Sequence, residues 1–443
     1  MQIFNINGRL CTSDELRRIA SAAEEEYIFV YLKPDIEWVH YSAERMLAVA
    51  HDTDAALTYS DRFLKKGSAI EQAPVIDYQQ GSLRDDFDFG SVLLFNTSAF
   101  RQAVSCMRTD RRFAALYELR LALSRNGGIV HINEYMYYEV EHDMRVSGEK
   151  QFDYVDPRNR EVQIEMEAVL TDHLRAIGGY LPERTRETDP TEGIFEYEAS
   201  VVIPCKNRVR TIASAIRSAL NQKTNGYKHN VIVVDDNSTD GTVDVIKDIL
   251  AEDHDNLVYI AQDNTWHAIG GNWNAALHHP LCGRFALQLD SDDTYSDEHT
   301  VERFVRCFRE ERCAMVIGSY RLTDFNGREL PPGVIDHKEW TASNGHNNAL
   351  RINGLGAPRG FYTPLMRQIG FPTTKYGEDY AVGLRICREY KIGRIYEVMY
   401  NCRRWDDNSD ANIDIAAQNA NNLYKDRLRT WELQARIKMN RQK

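Results

Sequence analysis

The chain lacks any Cys-x-x-Cys pair and any zinc-like Cys/His spacing. Its eight cysteines (Cys11, Cys106, Cys205, Cys282, Cys307, Cys313, Cys387, Cys402) therefore suggest neither a disulfide framework nor a zinc site, and read as reduced thiols. No window approaches 18 uninterrupted apolar residues, and the N-terminus MQIFNINGRLCTSDELRR has no basic start followed by an apolar core. Membrane spanning and secretion are not expected, and a cytoplasmic location is. A basic excess is missing too: the formal net charge is −12, which argues against a general nucleic-acid binder because phosphate neutralisation needs a basic face. What is present is ordinary. With 443 residues, 43% hydrophobic and 27% charged, the composition is that of a globular protein of two or three domains.

The clearest boundary is the stretch Gly178 to Glu198, with two prolines, three glycines and many charges, which reads as a linker. Ala199 to Pro204 is then a short β-branched run, as expected of a buried parallel strand. A helical pattern through Ile212, Ala215, Ile216 and Ala219 follows, then a strand Val231 to Val234 and a capped helix Val243 to Leu250. Further strands are expected at Leu257 to Ile260, Phe285 to Leu289 and Ala314 to Ile317. Strands alternating with helices predict an α/β fold with a mostly parallel sheet, and a ligand beyond the strands' carboxyl ends.

Polar clusters fall at those ends. Pro204-Cys205-Lys206-Asn207-Arg208 follows the first strand, Asp235-Asp236 the second, and Asp290-Ser291-Asp292-Asp293 the fourth. Hard cations such as Mn²⁺ or Mg²⁺ take oxygen ligands, and a phosphate-bound metal needs only one or two protein carboxylates. The last cluster is thus a candidate metal and diphosphate site. Glu378-Asp379, behind Gly377 and ahead of an amphipathic run, is a second acidic pair; at a helix start both acids are expected to stay ionised. Gly270-Gly271-Asn272-Trp273-Asn274 precedes a helix, where the glycines would let the backbone approach a ligand closely.

The segments SVVIPCKNR, VIVVDDNSTDGT, GGNWNAAL, LQLDSDD and YGEDYAVGLR, in this order, resemble family-2 glycosyltransferases with the GT-A fold over about residues 199–410. The resemblance implies an inverting, metal-dependent transfer of a sugar from a nucleoside-diphosphate sugar, by default UDP-linked, to an acceptor hydroxyl. It implies a base and ribose pocket lined by Pro204, Cys205, Lys206, Asn207, Asp235 and Asp236, with Asn274 also facing the donor. Asp292 and Asp293 would be the ribose and metal carboxylates, Asp293 the favoured ligand of Mn²⁺ or Mg²⁺, with Asp290 supporting them. Asp379 matches the general base, with Glu378 beside it. Arg403-Arg404-Trp405-Asp406-Asp407-Asn408-Ser409 resembles the segment that closes over the diphosphate, Arg404 being the phosphate-binding candidate. Asn401 stands where processive synthases carry Gln, which counts against a processive enzyme. The acceptor would be a saccharide, a lipid-linked saccharide or a protein, in polysaccharide or glycoconjugate synthesis. A nucleotidyltransferase would need a glycine-rich first loop, absent here, and a non-catalytic binding module would be expected to have lost the acids.

An internal repeat is also visible. Tyr117 against Tyr380 and Tyr137 against Tyr400 share one displacement of 263 residues, and Glu44-Arg45 matches Glu302-Arg303. In this alignment Glu378-Asp379 falls opposite Ala115-Leu116, and Asp290 to Asp293 opposite Leu32-Lys33-Pro34-Asp35. Residues 1–177 therefore read as a degenerate GT-A-like half-domain for packing, dimerisation into a homo-oligomer, or acceptor binding. The tail 411–443 reads as a basic helix, expected to pack on the catalytic domain 199–410, with peripheral membrane contact as the other reading.

Overall fold

The computed structural model describes residues 1–6, 8–140, 159–183, 186–252, 254–262, 268–352, 354–405 and 414–442. The chain divides into two compact units. Unit 1 is Met1–Leu181, Leu350–Ile352 and Ile413–Lys443; unit 2 is Pro182–Ala349 and Asn353–Asn412.

Unit 1 runs β1 (Gln2–Asn5), α1 (Ser13–Ala22), β2 (Tyr27–Tyr31), β3 (Ile36–Trp38), α2 (Ser42–Asp52), β4 (Ala55–Lys66) and β5 (Ala69–Ala73). It continues with β6 (Val92–Asn96), α3 (Thr97–Ser105), α4 (Ala115–Asn126), β7 (Gly128–Val140) and α5 (Arg160–Ala176). Its sheet has the order β1-β2-β6-β4-β7-β3, with β5 paired to β4. Every residue of β2 is buried, because alternate side chains enter two cores. Ile28 and Val30 join Leu16, Ile19, Phe100 and Leu119 on one face, whereas Tyr27, Phe29 and Tyr31 meet Met46 and Ala50 of α2 on the other.

Unit 2 opens with β8 (Ala199–Cys205), α6 (Ile212–Leu220), β9 (His229–Asp235), α7 (Thr242–Leu250), β10 (Leu257–Ala261), α8 (Ala268–His278) and β11 (Phe285–Gln288). Then come β12 (Thr294–Tyr295), α9 (Thr300–Glu311), β13 (Met315–Thr323), β14 (Glu329–Ile335), α10 (Gly345–Asn348) and β15 (Arg359–Tyr362). The unit ends with α11 (Thr363–Ile369), α12 (Glu378–Cys387) and β16 (Ile392–Arg403). The nine-stranded sheet is ordered β10-β9-β8-β11-β15-β13-β16-β12, with β14 on β13. Its first four strands are mutually parallel, so the carboxyl ends of β8, β9 and β11 share one edge. The α/β class is as expected from the sequence. The fold subdivides into this parallel half and a mixed half in which β15 runs antiparallel to both β11 and β13.

The repeat is written in the strand connectivity. In unit 2, β11 pairs antiparallel with β15, β15 antiparallel with β13, and β13 parallel with β16. In unit 1, β2, β6, β4 and β7 pair in the same order with the same senses. Two tyrosines keep one job in both copies. Tyr117 Oη donates to the Leu83 carbonyl and Tyr380 Oη to that of Ala349, while Tyr137 Oη accepts from the Ser91 amide and Tyr400 Oη from the Asp290 amide.

From Pro182 on, the proline-rich stretch is bound along unit 2: Thr188 bonds the carbonyls of Arg312 and Cys313, and Arg284 bonds that of Gly193. The last helix, α13 (Ile415–Arg441), corrects the expectation that the tail packs on the catalytic domain: it belongs to unit 1. Its buried face is committed there. Asp426 accepts from Ser82 Oγ (2.9 Å), Arg84 Nε (3.2 Å) and Arg429 Nη1 (2.8 Å), and Thr430 Oγ1 accepts from the Gly81 amide. Polar partners inside the face, not its hydrophobic stripe, select its surface.

Candidate active site

The site is built where three parallel strands end together. β8 and β9 are in register to their last residues, Cys205 opposite Asp235, and the Asp236 amide continues the ladder to the Cys205 carbonyl at 2.9 Å. The two following loops are stitched to each other. Asn207, at a left-handed φ of 52°, donates its amide to Ser238 Oγ (2.8 Å) and accepts from the Thr239 amide (2.8 Å). This holds Lys206 Nζ 3.3 Å from Asp236 Oδ2 at an exposed rim. Cys205 and Asp235 are buried behind that rim, and burial together with the Asp235 charge pushes the thiol up, so Cys205 is an inert wall and not a nucleophile.

At the end of β11 the chain turns through Asp290, Asp292 and Asp293. The Asp293 amide bonds the Asp290 carbonyl at 3.1 Å, closing the turn. Asp293 is only 4% exposed, and its Oδ1 accepts the Arg403 amide at 2.7 Å. Burial, and then the charges of Asp290 and Asp292, raise its carboxyl well above the ordinary range. Asp290 is raised for the same first reason, opposed by its bond from Gln288. Asp292 is the more open of the pair: Arg208 Nε lies 3.8 Å from its Oδ2, and Trp405 Nε1 donates to it at 3.3 Å.

Three carboxylates driven together and repelling one another are a site for positive charge. Among the described residues no group of three or more His, Cys, Asp or Glu side chains is arranged to hold a metal unaided. Two hard carboxylate donors, with the other positions left to ligand oxygens, fit Mn²⁺ or Mg²⁺ bound together with a diphosphate.

The second acidic pair sits at the start of α12, behind Gly377 at a φ of 77°. Here the expectation that both acids stay ionised is corrected. Glu378 is 7% exposed, and burial followed by the Asp379 charge pushes its carboxyl up to about 8, so desolvation outweighs the helix dipole and Glu378 is neutral at pH 7. Its neighbour Asp379 accepts from Arg359, which grips it through Nη2. Arg359 is buried; its Nη1 donates to Gln288 Oε1 (2.9 Å) and its Nε to the Leu355 carbonyl (2.7 Å). Gln288 Nε2 in turn donates to Asp290 Oδ1 at 3.0 Å. The two acidic clusters are therefore joined by one hydrogen-bonded chain.

The structure thus brings together Lys206, Asn207 and Asp236 at the rim, Asp290, Asp292 and Asp293 at the turn, and Glu378 with Asp379 across from them. Pro204 closes the strand beside Cys205 and is buried. Asn274 does not face the cleft: both ends of its amide are bonded to Phe371, each at 2.8 Å, so it locks α8 in place. Gly270 is likewise explained by packing. A Cβ there would lie 2.0 Å from the Pro372 carbonyl oxygen, so the close approach is to the segment leading into α12. Arg404 bonds Thr323 through its backbone at 2.8 Å, next to Trp405. Asn264 to His267 and Asp406 to Ser409 lie outside the described residues.

Sequence reasoning assigned no role to Gln288, and marked Arg208 only as part of the first polar cluster and Tyr400 only as the repeat partner of Tyr137. The signal for Arg359 was faint: one basic residue before Phe361 and Tyr362, which are both core. The repeat marked Tyr400 but not its role at the acids, where its hydroxyl accepts the Asp290 amide at 3.0 Å.

In unit 1 the equivalent place is neutralised from within. Lys33, opposite Ser291 in the repeat, pairs with the buried Glu139 at 2.9 Å, and Arg62 pairs with both Glu139 (3.0 Å) and Asp88 (2.9 Å).

Residues 200–367 match the family described as Glycosyl transferase family 2. A poly(ribitol-phosphate) beta-glucosyltransferase of Bacillus spizizenii is 26% identical over 46% of this chain and 32% of its own length. A UDP-Glc:alpha-D-GlcNAc-diphosphoundecaprenol beta-1,3-glucosyltransferase of Escherichia coli is 25% identical over 45% of this chain and 74% of its own. Among solved structures, S. aureus TarS 1-349 in complex with UDP has a TM-score of 0.41 at 21% identity, covering 53% of this chain and 65% of that one. The chain spans about a third of the length of the Bacillus relative. On the family match, the chain carries a glycosyl transferase family 2 domain over residues 200–367.

Proposed function

We propose that unit 2 is an inverting glycosyltransferase that moves a sugar from a nucleoside-diphosphate donor, by default UDP-linked, to the hydroxyl of a saccharide or lipid-linked saccharide. The carrying observation is the pairing of a diphosphate-side carboxylate cluster, Asp290 to Asp293, with a second carboxylate, Asp379, at the other end of one hydrogen-bonded chain. Lys206 and Asp236 at the rim supply the polar partners for a base and ribose. Asp292 and Asp293 would hold Mn²⁺ or Mg²⁺ with the diphosphate, and the ion contributes Lewis-acid stabilisation of the leaving group, worth several kcal/mol. Arg208 and the Trp405 indole stand beside Asp292, where phosphate oxygens gain charge as the sugar leaves.

An acceptor hydroxyl is a poor nucleophile at pH 7. Asp379 takes its proton as the oxygen attacks the anomeric carbon from the face opposite the diphosphate, an assistance worth about 10²–10⁴ in rate. Glu378, neutral beside it, adds no second negative charge to repel the arriving oxygen. One carboxylate base and one in-line displacement give inversion. The relatives' printed activities, on poly(ribitol-phosphate) and on a diphosphoundecaprenol-linked sugar, favour an acceptor of cell-surface polysaccharide synthesis. No described helix is long and apolar enough to cross a membrane, and all eight cysteines are free, in keeping with a cytoplasmic site of action.

The test is a panel of nucleotide sugars with Mn²⁺ and these two acceptor classes, reading released nucleoside diphosphate. One donor should be consumed, and Asp293→Asn and Asp379→Asn should each lower turnover at least about 100-fold. Turnover surviving both substitutions would remove the assignment of metal ligand and base.

A further inference from the structure

We infer that Arg359 and Gln288 form a positioning bridge that sets the catalytic carboxylate Asp379 relative to the diphosphate-side acids. The inference rests on the glycosyltransferase reading and gives a role to the two residues that link its acids. Its basis is register and burial. Gln288 is the last residue of β11 and Arg359 the first of β15, and the antiparallel pairing Leu287 with Gly360 sets them opposite each other. A buried guanidinium (8% exposed) at this place would be costly unless its donors were occupied. Its three nitrogens are: Nε by the Leu355 carbonyl, Nη1 by Gln288 Oε1, and Nη2 by Asp379 Oδ2.

The planar fork explains why arginine stands here. With Nε and Nη1 tied to fixed partners, the third direction is set, so Asp379 is aimed by a rigid group and not by its own rotamer preference. Gln288 adds the second half. Its Oε1 accepts from Arg359, so its amide nitrogen must point the other way, where it donates to Asp290 Oδ1. The amide's polarity makes the chain directional: the base, Arg359, Gln288 and the turn that would hold the diphosphate move as one unit. Glutamate at 288 would break that order, because it can accept from Arg359 but in its ionised form donates nothing to Asp290. Arg359 touches no reacting atom in this scheme. It acts through Asp379.

The experiment compares wild type, Arg359→Gln, Arg359→Lys, Arg359→Ala, Gln288→Glu and Asp379→Asn. Turnover is measured with the donor found by the panel, and affinity by titration with UDP plus Mn²⁺. Arg359→Gln should lose at least about 100-fold in kcat, as expected for a misplaced base, while UDP binding stays within about threefold. Arg359→Lys should keep part of the rate, and guanidinium at low, non-denaturing concentration should restore part of the Arg359→Ala turnover. Gln288→Glu should show the same kcat signature.

Arg359→Gln turnover within about threefold of wild type overturns the bridge and leaves the function standing, provided Asp379→Asn is inactive. Loss of UDP affinity and thermal stability in step with kcat, with no rescue, makes Arg359 a structural residue and also overturns the bridge. An active Asp379→Asn, or a wild type that consumes no donor, overturns the function and the bridge with it.

Discussion

Replacing Glu378 by glutamine should make the protein more stable at neutral pH, an unusual result for a carboxylate beside a proposed catalytic base. In the folded chain the carboxyl titrates at about 8, against 4.5 for the unconstrained group. A folded value raised in this way contributes stability that is fully present below the unfolded value. It is lost as pH rises from 4.5 towards 8, because the unfolded chain ionises there and the folded one does not. Between pH 5 and pH 7 the loss amounts to about 1.4 kcal/mol per pH unit, or roughly 2 to 3 kcal/mol. Glutamine matches the neutral form and cannot ionise, so the variant avoids that loss. For a domain of this size the gain corresponds to a rise in Tm of roughly 5 to 10 °C at pH 7, shrinking towards zero at pH 5. Melting curves of both proteins across that range are the assay. Turnover at pH 7 should remain within about tenfold of wild type, unlike that of Asp379→Asn. A Tm difference that does not change with pH, or a variant less stable than wild type at pH 7, would refute the claim that Glu378 is buried in its neutral form.

Other outcomes follow from packing and charge. Asp426→Ala should cost about 3 to 5 kcal/mol in urea unfolding of unit 1, since it removes a fully buried carboxylate that pairs with both Arg84 and Arg429; a loss under 1 kcal/mol would contradict their dependence on it. His131 is held between Asp61 (2.9 Å) and Asp77 (2.8 Å); burial pulls its value down, but the two carboxylate bonds dominate and raise it. Its contribution to stability is therefore present below about pH 6.5 and lost as pH rises through the folded value, and His131→Gln should flatten the pH dependence of the unit 1 denaturation midpoint there. Gly270→Ala should abolish turnover and lower Tm by several degrees, because the added methyl meets the Pro372 carbonyl; a silent substitution would show that this backbone can yield.

The parallel half of unit 2 was legible because its signals are local. β-branched runs that stop at acids are buried strands whose ends need polar residues, and Pro204, Asp235 and Leu289 each mark such a stop. The repeat was legible for a related reason: tyrosines that bond backbone in both copies survive at one displacement while the acids do not. The roles of Arg359 and Tyr400 beside the acids were not, since they come from neighbours distant in sequence, and a lone Arg or Tyr in a strand carries no label of its partner. The ionisation of Glu378 was misjudged because helix position is readable from sequence and burial is not. Asn274 and Gly270 were assigned to the ligand when the segment before α12 is what they meet, a contact between residues about 100 apart. The amphipathic face of α13 announced that it would pack, but nothing in it said on which unit.

That last helix has a practical meaning. Because Ile413–Lys443 belongs with Met1–Leu181, unit 2 lies in the chain between two parts of unit 1, which also takes Leu350–Ile352 from its middle. Deleting the tail would leave every candidate active-site residue in place, yet strip Leu433 from Gly179 and Asp426 from Arg84, so damage at one terminus would be felt as misfolding of the other.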